Sequence, residues 1–203
     1  MKAQQEILTP LLITGIMISI ISSVYLWGVP LIQKNEDIAN LQRAEDFMRN
    51  LDIKIKNVAN TGSRDRITID SGTLSFASVA YDSAEGLNAG SVKLDVITKG
   101  TIYSTGIPLP FVRDSLCHRN NTCVLGEDEP EWFFVQSNDI GGQYFTTYEL
   151  TYRQLNIPST LKGYQINLTG NSKTAGRGHD IVIEYKGTVS GNPTITNVEL
   201  KIL

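Results

Sequence analysis

The most distinctive feature of the chain is a long apolar run near its N-terminus. Residues 7–33 contain no charged side chain, and charges then appear together at Lys34, Glu36 and Asp37. As an α-helix this run would span about 40 Å, which exceeds the roughly 30 Å hydrocarbon core of a bilayer. Buried helices of soluble proteins rarely run this long without a charge. The pattern therefore predicts a transmembrane helix over residues 4–32.

A cleaved secretory signal peptide is the main alternative for this segment. Such a peptide combines a short apolar core with an Ala-x-Ala-like cleavage site. No alanine occurs between Ala3 and Ala39, and the apolar run is longer than such a core. We therefore expect the segment to be retained.

An amphipathic helix is predicted next, over residues 33–62. Its apolar residues recur at steps of three and four and form one stripe. The stripe consists of Ile38, Leu41, Ala44, Met48, Leu51, Ile55 and Val58. The helix is predicted to end near Asn60 and Thr61, because Gly62 can adopt the left-handed cap conformation. The stripe is expected to pack on the domain that follows or on neighbouring subunits.

From Arg66 onward the hydrophobic period changes from 3.6 to 2, which indicates β-strands. The predicted strands are residues 67–70, 73–79, 92–96, 101–104, 132–136, 148–152, 164–168, 181–185 and 198–202. Strands at this spacing without intervening helices predict a mainly antiparallel, β-sandwich-like head domain over residues 63–203. The predicted fold class is therefore α+β. Because the strands can bury one another, we expect the head to fold alone.

Two cysteines and two sequons indicate where the head lies. Cys117 and Cys123 bracket a short polar loop, which suggests a disulfide rather than a metal site. Asn120 and Asn167 head Asn-x-Thr triplets, the form of N-glycosylation acceptors. Together with Lys2 on the other side of the apolar run, these features favour an extracellular C-terminal domain on a single-pass membrane protein.

Composition and motifs exclude several functions. A chain of 203 residues with 41% apolar side chains has room for one domain and an anchor, and its net charge of −3 provides no basic surface for nucleic acid. His118 and His179 lie in no ligand-spaced motif. Residues 170–178 lack the Gly-Lys-Ser/Thr ending of a phosphate loop and are predicted as a flexible hairpin loop. With no nucleophile beside a base, we expect no metal site, no cofactor and no enzymatic activity.

The first residues resemble archaeal type IV pilins and archaellins. Lys2-Ala3-Gln4, followed by Glu6 and an apolar helix, is similar to the class III signal peptide of that family. The resemblance implies a basic leader over residues 1–3, cut by a prepilin-type peptidase between Ala3 and Gln4. It also implies a β-rich head, a pilus assembly machinery as partner, and self-association through the N-terminal helix.

Three residues are candidates for assembly within this resemblance. Gly15 and Ser19 lie four apart, which allows close approach of helices. Glu6 would pair with the new amine of a neighbouring subunit. Many family members carry this glutamate at the fifth residue after the cut, whereas here Glu6 is third and Leu8 is fifth.

Two functions from different classes follow. The first is a pilin-like structural subunit of an archaeal surface filament or its assembly system, serving adhesion or motility. The second is a permanently anchored single-pass protein whose β-sandwich ectodomain binds the envelope, similar in architecture to archaellum stator subunits. An extracytoplasmic enzyme is the third alternative.

Overall fold

The computed structural model describes residues 2–77, 90–111, 123–160, 162–171 and 174–203, with side chains from residue 10 onward. It has an α+β architecture, in which one long N-terminal helix precedes mostly antiparallel β-sheets. The predicted fold class is confirmed at this level.

The two predicted helices form one continuous helix, α1 (Lys2–Thr61), which includes Pro10 and Pro30. The helix ends where the sequence predicts. Gly62 has a φ of 68°, and its N–H donates to the Val58 carbonyl oxygen at 3.0 Å. A residue with a Cβ is strained at this φ, which explains a glycine as the helix cap.

Eleven strands follow α1 in the described part of the chain. They are β1 (Arg64–Thr68), β2 (Thr73–Ala77), β3 (Ser91–Thr98), β4 (Leu109–Pro110), β5 (Glu131–Asp139), β6 (Tyr144–Tyr152), β7 (Leu155–Ile157), β8 (Lys162–Gly170), β9 (Ala175–Gly176), β10 (Asp180–Val189) and β11 (Thr194–Ile202). They form a five-stranded sheet, in the order β1-β10-β11-β8-β7, and a six-stranded sheet, in the order β4-β5-β6-β3-β2-β9. Every pair is antiparallel except β11 with β8, which is parallel.

The second half of α1 lies at the centre of the core. It contacts β1, β10 and β11 of the five-stranded sheet and β3 and β6 of the six-stranded sheet. Six of the seven stripe residues are fully buried, and Ile38 is half-buried. Phe47, which lies outside the predicted stripe, is also buried and is 4% exposed. Of the two predicted alternatives, the stripe therefore packs on the head of its own chain.

A close approach joins the two sheets beside β2. A Cβ on Gly90 would lie 2.3 Å from the Leu168 carbonyl oxygen and 2.6 Å from the Phe76 ring. A Cβ on Gly170 would lie 2.8 Å from the same ring. The Phe76 ring therefore fits between two glycines, where no larger residue has room.

Two local predictions were wrong. Residues 101–104 form no strand, because the Tyr103 N–H bonds to the Thr101 side chain at 3.1 Å instead of to a neighbouring strand. Within residues 170–178, the predicted hairpin loop carries β9, which pairs with β2 of the other sheet. Ala175 of β9 is 6% exposed, so tertiary packing holds this segment in place.

Candidate membrane and assembly interface

The first half of α1 exposes its apolar side chains. Fourteen large apolar residues between Leu11 and Ile32 are 49–85% exposed, and the most exposed is Trp27. The helix contains an 18-residue window with a mean hydropathy of 1.9, none of it buried. We call residues 10–32 the apolar segment. By length and composition it is a candidate membrane span.

Hydroxyl groups within the apolar segment bond to their own helix. The Thr14 hydroxyl donates to the Pro10 carbonyl oxygen at 3.0 Å, and the Ser19 hydroxyl donates to the Gly15 carbonyl oxygen at 2.9 Å. A Cβ on Gly15 would meet nothing within 4 Å. Gly15 and Ser19 therefore form a shallow notch on an open helix face. The Thr14 and Ser19 hydroxyl groups need no partner from another helix, because each already bonds to a carbonyl oxygen of α1.

The predicted processing and assembly residues at the start of α1 lie within the helix. Ala3, Gln4 and Glu6 are all in α1, and their side chains lie outside the described residues. Cleavage after Ala3 and the pairing of Glu6 stay predictions.

The junction between the apolar segment and the head is fixed by hydrogen bonds. One carboxylate oxygen of Asp37 accepts the N–H groups of Lys99, at 3.1 Å, and Gly100, at 2.9 Å. One turn further, the Tyr148 hydroxyl donates to the Leu41 carbonyl oxygen at 2.9 Å. The turn after β3 is thus attached to α1 five residues beyond Ile32.

A buried cluster of charged residues lies deeper in the head. Asp52 accepts the Tyr152 hydroxyl at 2.7 Å and pairs with Lys56 at 2.9 Å, and Lys56 pairs with Glu131 at 2.5 Å. Asp52 is 8% exposed and Glu131 is 9% exposed. Glu129, on the loop before β5, lies 3.6 Å from the Lys56 ammonium group. One ammonium group thus faces three carboxylates.

The pKa shifts follow from this geometry. Burial, together with the negative charge of Glu131, raises the pKa of Asp52 above its ordinary value, despite the Tyr152 hydrogen bond. Burial by itself would lower the pKa of Lys56, but the hydrogen bonds to Glu131 and Asp52 outweigh it and raise that pKa. Burial and the adjacent Asp52 raise the pKa of Tyr152 well above its ordinary value. At neutral pH Lys56 is therefore cationic and Tyr152 is a neutral hydrogen-bond donor.

This cluster borders a groove of about 470 Å³ at the end of α1. The groove is open to solvent. Its polar lining residues include Lys56, Glu129, Arg153, Tyr164, Thr194 and Thr196, and the apolar residues Leu125, Leu155 and Ile166 also line it. A lining that combines apolar side chains with a few charged and polar groups is typical of small-molecule sites.

Two of the four predicted modification residues of the head lie among the described residues. Cys123 is 2% exposed and packs with Leu155, whereas Cys117 and Asn120 lie outside the described residues. Asn167 lies in β8, half-buried, and its side-chain amide donates to Asn197 at 2.9 Å. The disulfide and both glycosylation sites stay predictions.

Sequence reasoning missed the charged cluster. Asp52, Glu131 and Tyr152 are far apart along the chain and look like ordinary surface or strand residues. One local signal was available: Asp52 stands next to Leu51 and four residues before Lys56, at the edge of the apolar stripe. The four-residue spacing of Asp52 and Lys56 indicates an ion pair along the helix, but it does not indicate that the pair is buried.

Among the described residues, no group of three or more His, Cys, Asp and Glu side chains has the arrangement of a metal site. Comparison of the chain with known protein families, with characterised proteins and with solved structures found no match.

Proposed function

We propose that the chain is a pilin-like structural subunit of an archaeal cell-surface filament or of its assembly system. The apolar segment anchors the subunit in the membrane before polymerisation and then forms the filament core. The β-sandwich-like head lies outside the cell and mediates adhesion or motility. A prepilin-type peptidase removes residues 1–3, and the assembly machinery extracts the helix from the membrane.

One observation carries this proposal: the two halves of a single helix have opposite environments. The second half is the core of the head, whereas the first half exposes fourteen large apolar side chains that its own chain leaves uncovered. Water is a costly environment for so large an apolar surface. A bilayer and a bundle of identical helices are the two environments that cover it.

The experiment is to determine the N-terminal residue and the location of the protein isolated from its native cells. A mature N-terminus at Gln4, in a fraction of filaments sheared from the cell surface, is the expected result. An Ala3→Leu variant should leave the leader attached and keep the protein in the membrane, because the peptidase requires a small residue before the cut. An Ala39→Leu variant, changed in the same way outside the cleavage region, serves as the control.

A second candidate function is a permanently anchored, single-pass protein whose ectodomain binds another envelope component. The groove of about 470 Å³ beside Lys56, Arg153 and Tyr164 favours it, because small ligands bind in concave sites that combine apolar walls with a few charged and polar groups. An intact Met1 on protein that remains in the membrane fraction would support this function and contradict the pilin route.

A further inference from the structure

The end of the head nearest the apolar segment carries exposed isoleucines. Ile97 is the penultimate residue of β3 and is 64% exposed, and Ile140 lies in the turn between β5 and β6 and is 62% exposed. We call these two residues the isoleucine rim. Isolated exposed apolar residues are common, but these two lie at the same end of the six-stranded sheet, because Ile97 pairs with Phe145 at the start of β6.

Contacts with α1 place the rim along the helix. Ile97 and Gln143 line one shallow groove together with Gln33 and Asp37. The Ile140 N–H donates to the Gln143 carbonyl oxygen at 2.7 Å, so Ile140 belongs to the same turn as Gln143. The rim therefore lies beside helix residues 33–37, directly after the apolar segment.

The rise per residue of an α-helix gives the distance of the rim from the end of the apolar segment. Asp37 lies five residues beyond Ile32, or about 7.5 Å along α1. The headgroup layer on each side of a bilayer is roughly 5–8 Å thick. If the apolar segment spans the hydrocarbon core, the rim reaches the layer where amphipathic surfaces insert apolar side chains.

We propose that the isoleucine rim is a lipid-contacting surface, on which the head rests against the outer face of the bilayer that holds α1. The inference rests on the proposed anchoring of the apolar segment and adds a second, shallow contact made by the head itself. Continuity with the apolar segment argues for lipid as the occupant. Charge does not decide the matter, because exposed Lys34 and Lys99 share this end with exposed Glu36 and Asp139.

The contact has a functional consequence for an anchored subunit. A head attached only through α1 could tilt about the point where the helix leaves the membrane. Apolar side chains inserted beside the helix would limit this tilt and hold the head at a fixed height.

The experiment measures quenching of tryptophan by lipids with brominated acyl chains in reconstituted vesicles. The full chain has two tryptophans, Trp27 and Trp132. Replacing Trp132 with Phe leaves Trp27 as a reporter of the apolar segment. Replacing both with Phe gives a background for Ile140→Trp and, as a second rim position, Ile97→Trp.

Val189→Trp in the same background is the matched control. Val189 is 58% exposed at the end of β10, close to Ile140 in exposure. It lies beyond Tyr185, which contacts Gly62 at the far end of α1. That is roughly 40 Å from Asp37 along the helix.

In phosphatidylcholine vesicles brominated near the headgroup, the Ile140→Trp and Ile97→Trp proteins should lose emission to an extent similar to Trp27. The Val189→Trp protein should keep its emission. Quenching of Trp27 without quenching at either rim position would overturn the rim proposal and leave the anchor intact. A Trp27 that is not quenched would overturn the anchor itself. Rim emission that shifts only as the protein-to-lipid ratio rises would mean that a second copy, not lipid, covers the rim.

Discussion

At the scale of single residues, the head carries two sets of paired charges. Asp52 and Glu131 are buried and pair with Lys56, whereas the Glu184–Lys186–Glu199–Lys201 network lies half exposed on the five-stranded sheet. Burial determines how much each set contributes to stability, because water screens the second set more strongly than the first.

Tyr152→Phe should lower the free energy of unfolding by about 1–3 kcal/mol, because it removes the donor to a buried carboxylate oxygen of Asp52. Tyr185→Phe is the matched control, since its hydroxyl contacts Thr188 at the surface, at 2.9 Å. Urea unfolding of the full chain in detergent, followed by near-ultraviolet circular dichroism, measures both. An equal loss of unfolding free energy in the two variants would show that the buried hydrogen bond to Asp52 stabilises the head no more than the surface contact of Tyr185.

Glu184→Gln should flatten the acid dependence of stability. Hydrogen bonds from Lys186 and Lys201 lower the pKa of Glu184 from 4.5 to about 2. A carboxyl group with a lowered pKa in the folded state stabilises above its unfolded pKa and loses that contribution as the pH falls through the folded value. The wild-type protein should therefore have a larger free energy of unfolding than Glu184→Gln at pH 7, and this difference should shrink as the pH falls towards 2.

The same unfolding experiment, repeated at pH 7, 4 and 2.5, measures this difference. Because the network is exposed, added salt should reduce the pH 7 advantage. Glu127→Gln, at an exposed loop position, is the control and should leave the pH dependence of the free energy of unfolding unchanged. A wild-type advantage at pH 2.5 as large as the one at pH 7 would contradict the prediction.

At the scale of elements, α1 has two parts, the apolar segment and a second half that belongs to the core of the head. Seven of its side chains are at most 4% exposed within the main core cluster: Leu41, Ala44, Phe47, Met48, Leu51, Ile55 and Val58. Burying them is worth on the order of 10 kcal/mol before entropy is counted, which is comparable to the roughly 5–15 kcal/mol that holds a domain folded. From this burial we expect residues 63–203 to depend on α1 for folding, in contrast to the expectation drawn from the strand pattern alone.

A fragment of residues 33–203 should be soluble, monomeric and cooperatively folded, whereas residues 63–203 should not unfold cooperatively. Sedimentation and urea unfolding distinguish the two. Within α1, Leu51→Ala should cost about 2–5 kcal/mol. Ile53→Ala, two residues away and 54% exposed, should stay within about 0.5 kcal/mol of wild type. A stable fragment of residues 63–203 would mean that the sheets close without the helix.

Hydrophobic period predicted the long elements and failed on the short ones. The stripe of α1, the cap at Gly62 and the alternation in β3, β6, β8 and β11 are local patterns that can be read directly from the sequence. The strands β4, β7 and β9 have two or three residues each and exist only through pairing with distant strands. The Asp52 cluster is likewise assembled from α1, β5 and β6, and the groove from α1, the loop before β5, β7, β8 and β11, so no local pattern indicates them.

At the scale of the whole molecule, the apolar segment is the one large surface of the chain that its own fold leaves uncovered in the described residues. Gly15 and Ser19, one turn apart, place two small side chains on the same face of that surface. Close approach of a second helix at such a point favours association between copies.

Gly15→Leu should weaken association of the full chain in vesicles and disrupt filaments, without changing the stability of the head. Gly28→Leu is the matched control. A Cβ at either glycine meets nothing within 4 Å in the single chain, but Gly28 has the large residues Val24 and Ile32 four positions away. Energy transfer between labelled copies in vesicles measures association. Equal energy transfer in both variants would remove the close-packing argument.

The continuity of α1 through the junction also has a mechanical consequence. Tension on the head passes into the helix with no flexible linker between them. To pull α1 out, a load must slide about 26 Å of helix, residues 41–58, past two sheets at once. All buried contacts along that length resist together, in shear, instead of opening one after another. We expect a head that stays intact under a steady pull and, when it fails, fails as a single unit.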